Sequence, residues 1–179
     1  MSRSVFVSRV REGLPRLAVL CLSLLLLAYV DVIVLERVLK PMAAKYSIPW
    51  GEFQIPVSWA AGVRPLWWHA AFIPLALGLF ALLAAASQQW RYLAAGFLLF
   101  STGWEDILYY LLQGKGIPAS LPILDLNPAL SWTRSLTATE HVSLAGLLAV
   151  AGIGAVIAVV ILFSRGRGDS RAESPSSTA

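Results

Sequence analysis

Four long apolar windows divide the chain: about Leu17 to Leu39, Leu66 to Ser87, Tyr92 to Gln113 and Ala138 to Phe163. A helix needs about 20 apolar residues to cross the hydrocarbon core of a bilayer, so each window predicts a membrane-spanning helix. Between the second and third lies only "SQQWR", which forces an antiparallel hairpin. The other two links are "KPMAAKYSIPWGEFQIPVSWAAGVRP" and "GKGIPASLPILDLNPALSWTRSLTAT". Both are richer in Pro, Trp, Ile and Leu than freely solvated loops. Trp50, Trp59 and Trp132, with Trp67 and Trp68 at the start of the second span, predict anchoring at the membrane interface. These links are expected to lie on the outer membrane surface or to fold over the mouth of the bundle.

The expected fold is therefore all-α: an integral membrane four-helix bundle over residues 17–163, after a basic N-terminal segment 1–16 and before a polar tail 164–179 expected to be disordered. Composition agrees. Of the 179 residues, 58% are apolar and 13% charged, and the mean hydropathy is +0.70. A soluble domain carries about 25% charged residues. Basic residues set the direction. Arg3, Arg9, Arg11, Arg16, Arg91, Arg165, Arg167 and Arg171 fall on one side, and Arg37, Lys40, Lys45, Arg64, Lys115 and Arg134 on the other. The excess, concentrated before the first span, places both termini in the cytoplasm and the chain in the cell membrane. "LAVLCLSLLLLA" has the look of a signal-peptide core, but the run continues through "YVDVIVLERVL" without an A-x-A site, so an uncleaved span is expected. The lone Cys21 gives neither a disulfide framework nor a CxxC metal motif.

Ionisable residues interrupt these spans. Asp31 and Glu36 lie in the first, His69 in the second, Glu105 and Asp106 in the third, and Glu140 and His141 at the start of the fourth. An acid in mid-span costs about 2.5–3.5 kcal/mol on insertion scales and usually faces a protein interior or a wet cavity. At 1.5 Å per residue, Asp31 and Glu105 lie about 12 Å below the outer helix ends and the two histidines about 5 Å below theirs. The polar groups thus gather in the outer half. Some have an ordinary structural reading. Glu36 pairs with Lys40 at i,i+4, "TATEH" reads as a helix cap with Glu140 in the first turn, and Pro74 predicts a kink below His69. Glu105 and Asp106 point about 100° apart, so one of them need not face the core. Ala145, Ala149, Gly152, Gly154 and Ala158 predict close helix packing in the fourth span.

A weak internal repeat overlays this pattern. "DVIVLERVLK" and "DILYYLLQGK" each run from Asp to Lys, and each is followed by a Pro-rich link, a Ser-Trp pair and a histidine. Asp31 and His69 are 38 residues apart, Asp106 and His141 are 35 apart. Two parallel helical-hairpin repeats would produce this.

The segment "GWEDILYYLL", Gly103 to Leu112, resembles part of an uncharacterised family of small bacterial multi-pass membrane proteins, in which Trp-Glu-Asp precedes an aliphatic-aromatic run. The resemblance implies a multi-pass membrane protein and no activity.

Three functional readings follow. Asp31, His69, Glu105, Asp106 and His141 converging from four helices would make a ligand set for Zn, Mn or non-haem Fe, suited to chemistry on an apolar or lipid-like molecule. Alternatively the polar cluster is packing glue in a non-catalytic accessory or assembly subunit, alone, as an oligomer or with a partner. A lesser reading pairs His69 and His141 as axial ligands of a b-type haem. No Gly-rich phosphate loop, HExxH or nucleophile elbow is present. The apolar inner half argues against a through-channel, and nothing supports nucleic-acid binding.

Overall fold

The computed structural model describes residues 3–48, 64 and 67–164. Trp50 and Trp59 of the first link fall outside them, as does most of the tail. The chain is all-α. The first helix, α1 (Arg3–Val32), continues through a π-helical stretch, Ile33–Leu39, into α2 (Lys40–Lys45). The second span begins with a π-helical stretch, Trp68–Phe72, and continues as α3 (Ile73–Ser87). After a three-residue turn come α4 (Arg91–Ser101) and α5 (Trp104–Leu112). A 3-10 turn, Pro122–Leu126, and two short helices, α6 (Pro128–Ser131) and α7 (Thr133–Thr137), precede α8 (Leu144–Phe163). Gly13–Lys45, Trp68–Ser87 and Leu144–Phe163 are each long and apolar enough to cross a membrane. These features make the chain a multi-pass membrane protein.

Both π stretches end two residues before a proline, Pro41 and Pro74. A proline ring clashes with the carbonyl four residues back, which belongs to Arg37 in one case and Ala70 in the other. Widening the turn moves that carbonyl aside. The N–H of Lys40 reaches the carbonyl of Leu35, and that of Ile73 reaches Trp68, each five residues back. The disturbance expected at Pro74 thus takes the form of a widened turn, and that turn carries His69.

The third window is not one helix. It breaks at Thr102–Gly103. The Ser101 and Thr102 hydroxyls donate back to the Leu98 carbonyl at 3.1 and 2.8 Å, closing α4. Gly103 then takes φ +86°, a left-handed conformation that favours glycine. A Cβ there would also lie 2.4 Å from Leu147 of α8, so the close approach and the dihedral both demand glycine.

α4 packs between α3 and α8, while α5 packs on α1. Near the termini, the Arg16 guanidinium donates to the Leu162 carbonyl at 3.4 Å, so the start of α1 and the end of α8 share one side. One apolar core is built on Leu20, Leu24, Leu27, Phe72, Phe80 and Leu99. A second, built on Ile107, Leu121, Leu124, Leu130, Val142 and Leu147, joins the 114–143 link to α5 and α8. That link folds back on the helices, as its apolar composition predicts. Trp132 remains 48% exposed, on the outside of the fold.

The fourth helix starts later than its apolar window. Ser143 caps it, its hydroxyl accepting from the Gly146 N–H at 3.1 Å. Glu140 and His141 precede the helix, so neither the expected capping role of Glu140 nor the expected depth of His141 holds. Here the backbone is extended and bridged to the link, Leu121 N–H to Val142 carbonyl at 2.8 Å and Leu144 N–H to Ala119 carbonyl at 3.0 Å. The two halves of the weak repeat therefore differ locally: a π stretch follows Asp31, and a helix break precedes Asp106.

Gly103→Ala should destabilise the protein by about 1–3 kcal/mol through strain and overpacking. Gly152→Ala, whose Cβ meets nothing within 4 Å, should be neutral. Thermal unfolding in detergent, followed by loss of the monodisperse species, compares the two.

Candidate functional site

The break between α4 and α5 shapes a cavity. Ending α4 at Ser101 frees backbone carbonyls inside the fold, and lipid supplies no donors for them. Asn127 from the link answers one: its side-chain N–H donates to the Ser101 carbonyl at 2.9 Å. Its amide oxygen accepts from Ala129 N–H at 2.9 Å and caps α6. On the other side of the break, the Trp104 indole N–H donates to the Ala151 carbonyl of α8 at 2.8 Å. Beside this junction lies a cavity of about 340 Å³. Its walls are mostly apolar, formed by Trp68, Ile73, Phe97, Phe100, Ile123, Leu124 and Pro128, with His69, Ser101, Asp106 and Asn127 as the polar groups.

A smaller cleft of about 10 Å³ adjoins it, lined by Asp31, Leu35, Arg64, Tyr109 and Tyr110. Trp68, Asp106 and Ile123 line both spaces, so Asp106 stands at the partition. The cleft is about the size of one water. Asp31 is 1% exposed and accepts a 2.7 Å hydrogen bond from the Trp67 indole N–H. That bond ties the first span to the second. Towards the link side, Glu36 accepts from the Tyr109 hydroxyl at 3.1 Å and pairs with Lys40 at 3.0 Å, as the i,i+4 spacing predicts.

The five proposed metal ligands do not meet. Asp31 and Asp106 share the cleft, and His69 and Asp106 share the cavity. Glu105 lines neither space. It is 1% exposed, and neither of its carboxyl oxygens has a hydrogen-bond partner among the described residues. The 100° offset between neighbouring helical residues explains why Asp106 faces the cavity and Glu105 does not. His141 belongs elsewhere. Its Nδ1 lies 2.7 Å from Asp125, whose other oxygen accepts from the Val142 N–H at 2.9 Å, with Arg134 3.7 Å away. Among the described residues, no three His, Cys, Asp or Glu side chains are grouped to hold a metal ion. His69 lines the cavity and His141 does not.

Several residues here escape a reading based on spans. Asp125 and Asn127 sit in the apolar link, where a polar side chain in "LDLNPAL" is a signal of its own, and Asn-Pro marks a helix start. Arg64 reads as a loop cation, yet it lines the cleft with Asp31 and Asp106. Phe97 and Phe100 look like lipid-facing bulk until α4 is known to pack with its neighbours.

The fold and site together define an all-α multi-pass membrane protein with an aromatic-walled cavity containing a carboxyl group. In comparisons with protein-family models, curated proteins and solved structures, the chain matched none.

Trp67→Phe removes the donor to buried Asp31. The expected loss is about 0.6–1.7 kcal/mol, the range measured for interhelical hydrogen bonds in membranes, read as a lower melting temperature in detergent. Asp125→Ala should instead loosen the link, raising amide hydrogen exchange at Val142 with little effect on α1.

Proposed function

We propose that this chain is a four-pass protein of the cytoplasmic membrane, with both termini in the cytoplasm, that binds a lipid-like small molecule in the cavity between the α4–α5 break, the π turn of the second span and the folded link. The observation that carries this reading is the cavity itself. Its volume of about 340 Å³ falls within the range of small-molecule pockets, about 300–1,000 Å³, and its mostly apolar wall with a few polar groups is their usual lining. Phe97 on its wall is 52% exposed, which gives an alkyl chain a route to the surrounding lipid. The π turn at Trp68–Phe72 supports the same place, because π distortions cluster at functional sites.

A metal centre has weaker support, since the candidate ligands are divided between the cavity, the cleft, the buried position of Glu105 and the link. An accessory or assembly role is the second reading. It is favoured by the cross-helix bonds from Trp67 to Asp31 and from Tyr109 to Glu36, which are the contacts expected of packing glue.

A photoreactive diazirine analogue of dodecanol, applied to the protein in zwitterionic lipid nanodiscs, tests binding. Labelling should map to peptides around Phe97–Ser101 and Ile123–Pro128, and Ile73→Trp, which fills the cavity, should reduce it several-fold. Labelling spread evenly over the lipid-facing helices would leave only the accessory reading. Topology has its own check. In a Cys21→Ser background, an impermeant maleimide should label Ser47→Cys and Ser135→Cys in intact cells, and Ser164→Cys only after permeabilisation.

A further inference from the structure

Resting on the binding reading above, we infer that the cavity selects amphiphiles with a cationic ammonium head, held by Asp106 between the rings of Trp68, Phe97 and Phe100. The polar groups on the cavity wall are not equally available to a ligand. The Ser101 hydroxyl already donates to the Leu98 carbonyl, and the Asn127 amide is engaged at both ends, with Ser101 and Ala129. His69 and Asp106 are the other two polar groups of this wall; Asp106 is its acid, and an ionised carboxylate only accepts hydrogen bonds, so the head that pairs with it must donate.

Ammonium and hydroxyl heads both donate. The walls favour the first. Trp68 and Phe100 form a continuous aromatic surface, with ring centroids 6.3 Å apart and planes inclined by 31°, and Phe97 lines the same space. Aromatic faces attract a cation through their quadrupole by about 0.5–2 kcal/mol and give a neutral hydroxyl no such gain. The charge distribution points the same way. Behind Asp106 the cleft adds Asp31, with Arg64 as its cation, and Glu105 is buried next in sequence. A phosphate or carboxylate head would meet Asp106 as a second acid at the cavity wall, so the wall disfavours it. The cavity lies at the small end of ligand pockets, so it encloses the head and the first part of the chain, and the remainder passes Phe97 into lipid.

The test is competition against the diazirine dodecanol by unlabelled dodecylammonium, dodecanol and dodecyl phosphate, in zwitterionic nanodiscs, with concentrations referred to the lipid phase. Dodecylammonium should compete about tenfold more strongly than dodecanol, which corresponds to about 1.4 kcal/mol, and dodecyl phosphate should be weakest. In Asp106→Asn the ratio of ammonium to alcohol potency should fall towards one. In Phe100→Leu it should fall by about two- to threefold. Equal potency of ammonium and alcohol in the wild type overturns the inference without any variant, as does a preference that survives Asp106→Asn. If dodecanol itself labels no cavity peptide, the binding reading fails first and the head-group question falls with it.

Discussion

The constraint on which this fold depends is that every backbone polar group within the bilayer must find its partner inside the protein. The segment from Arg91 to Leu112 breaks its helix at Thr102–Gly103, and its neighbours are arranged around that break. Hydroxyls of Ser101 and Thr102 turn back on α4. Asn127 is brought in from the link to the Ser101 carbonyl. Trp104 reaches the carbonyl of Ala151, and Gly154 leaves room for Thr102, whose hydroxyl would lie 2.4 Å from a Cβ there. The small residues of α8 are thus a socket for the break as much as a packing surface. The cavity is what remains beside a helix that stops, turns and restarts.

Proline acts on the first and second spans by a related route. Pro41 and Pro74 each force the preceding turn to widen into i→i−5 bonds. In the first span the widened stretch contains Leu35 and Glu36, just beyond Asp31; in the second it contains Trp68 and His69. Leu35 of the first stretch lines the cleft, Trp68 of the second lines both spaces, and His69 lines the cavity. Widened or broken backbone from three segments therefore borders the cleft, where Leu35, Trp68 and Asp106 all take part in the lining.

Much of this was legible in the sequence. Apolar windows announced the spans, because lipid imposes a minimum length that chance rarely meets in a chain this short. The i,i+4 pair of Glu36 and Lys40 was legible because it is local. The third span read as continuous because Ser-Thr-Gly is tolerated inside membrane helices, and the deciding partner, Asn127, lies in a different element. The site was half legible. Asp31, His69 and Asp106 do line the cleft or the cavity, since acids and imidazoles in lipid have few other places to go. Glu105 and His141 were misplaced for opposite reasons: Glu105 follows the helical rotation away from its neighbour, and His141 is captured by Asp125, an interaction between residues whose sequence separation of 16 no periodicity reports.

The long reach of the bonds at the break also has a consequence for biogenesis. A chain is made from its N-terminus, and the partner of Ser101 lies 26 residues downstream, that of Trp104 47 residues downstream. When the α4–α5 segment first leaves the ribosome, neither partner has yet emerged. The broken form is therefore completed retrospectively, once the link and then α8 arrive. Until then the segment has only its own helix to satisfy it. The last span is thus a folding template for the one before it, and a chain truncated before α8 would lack the carbonyl that receives Trp104.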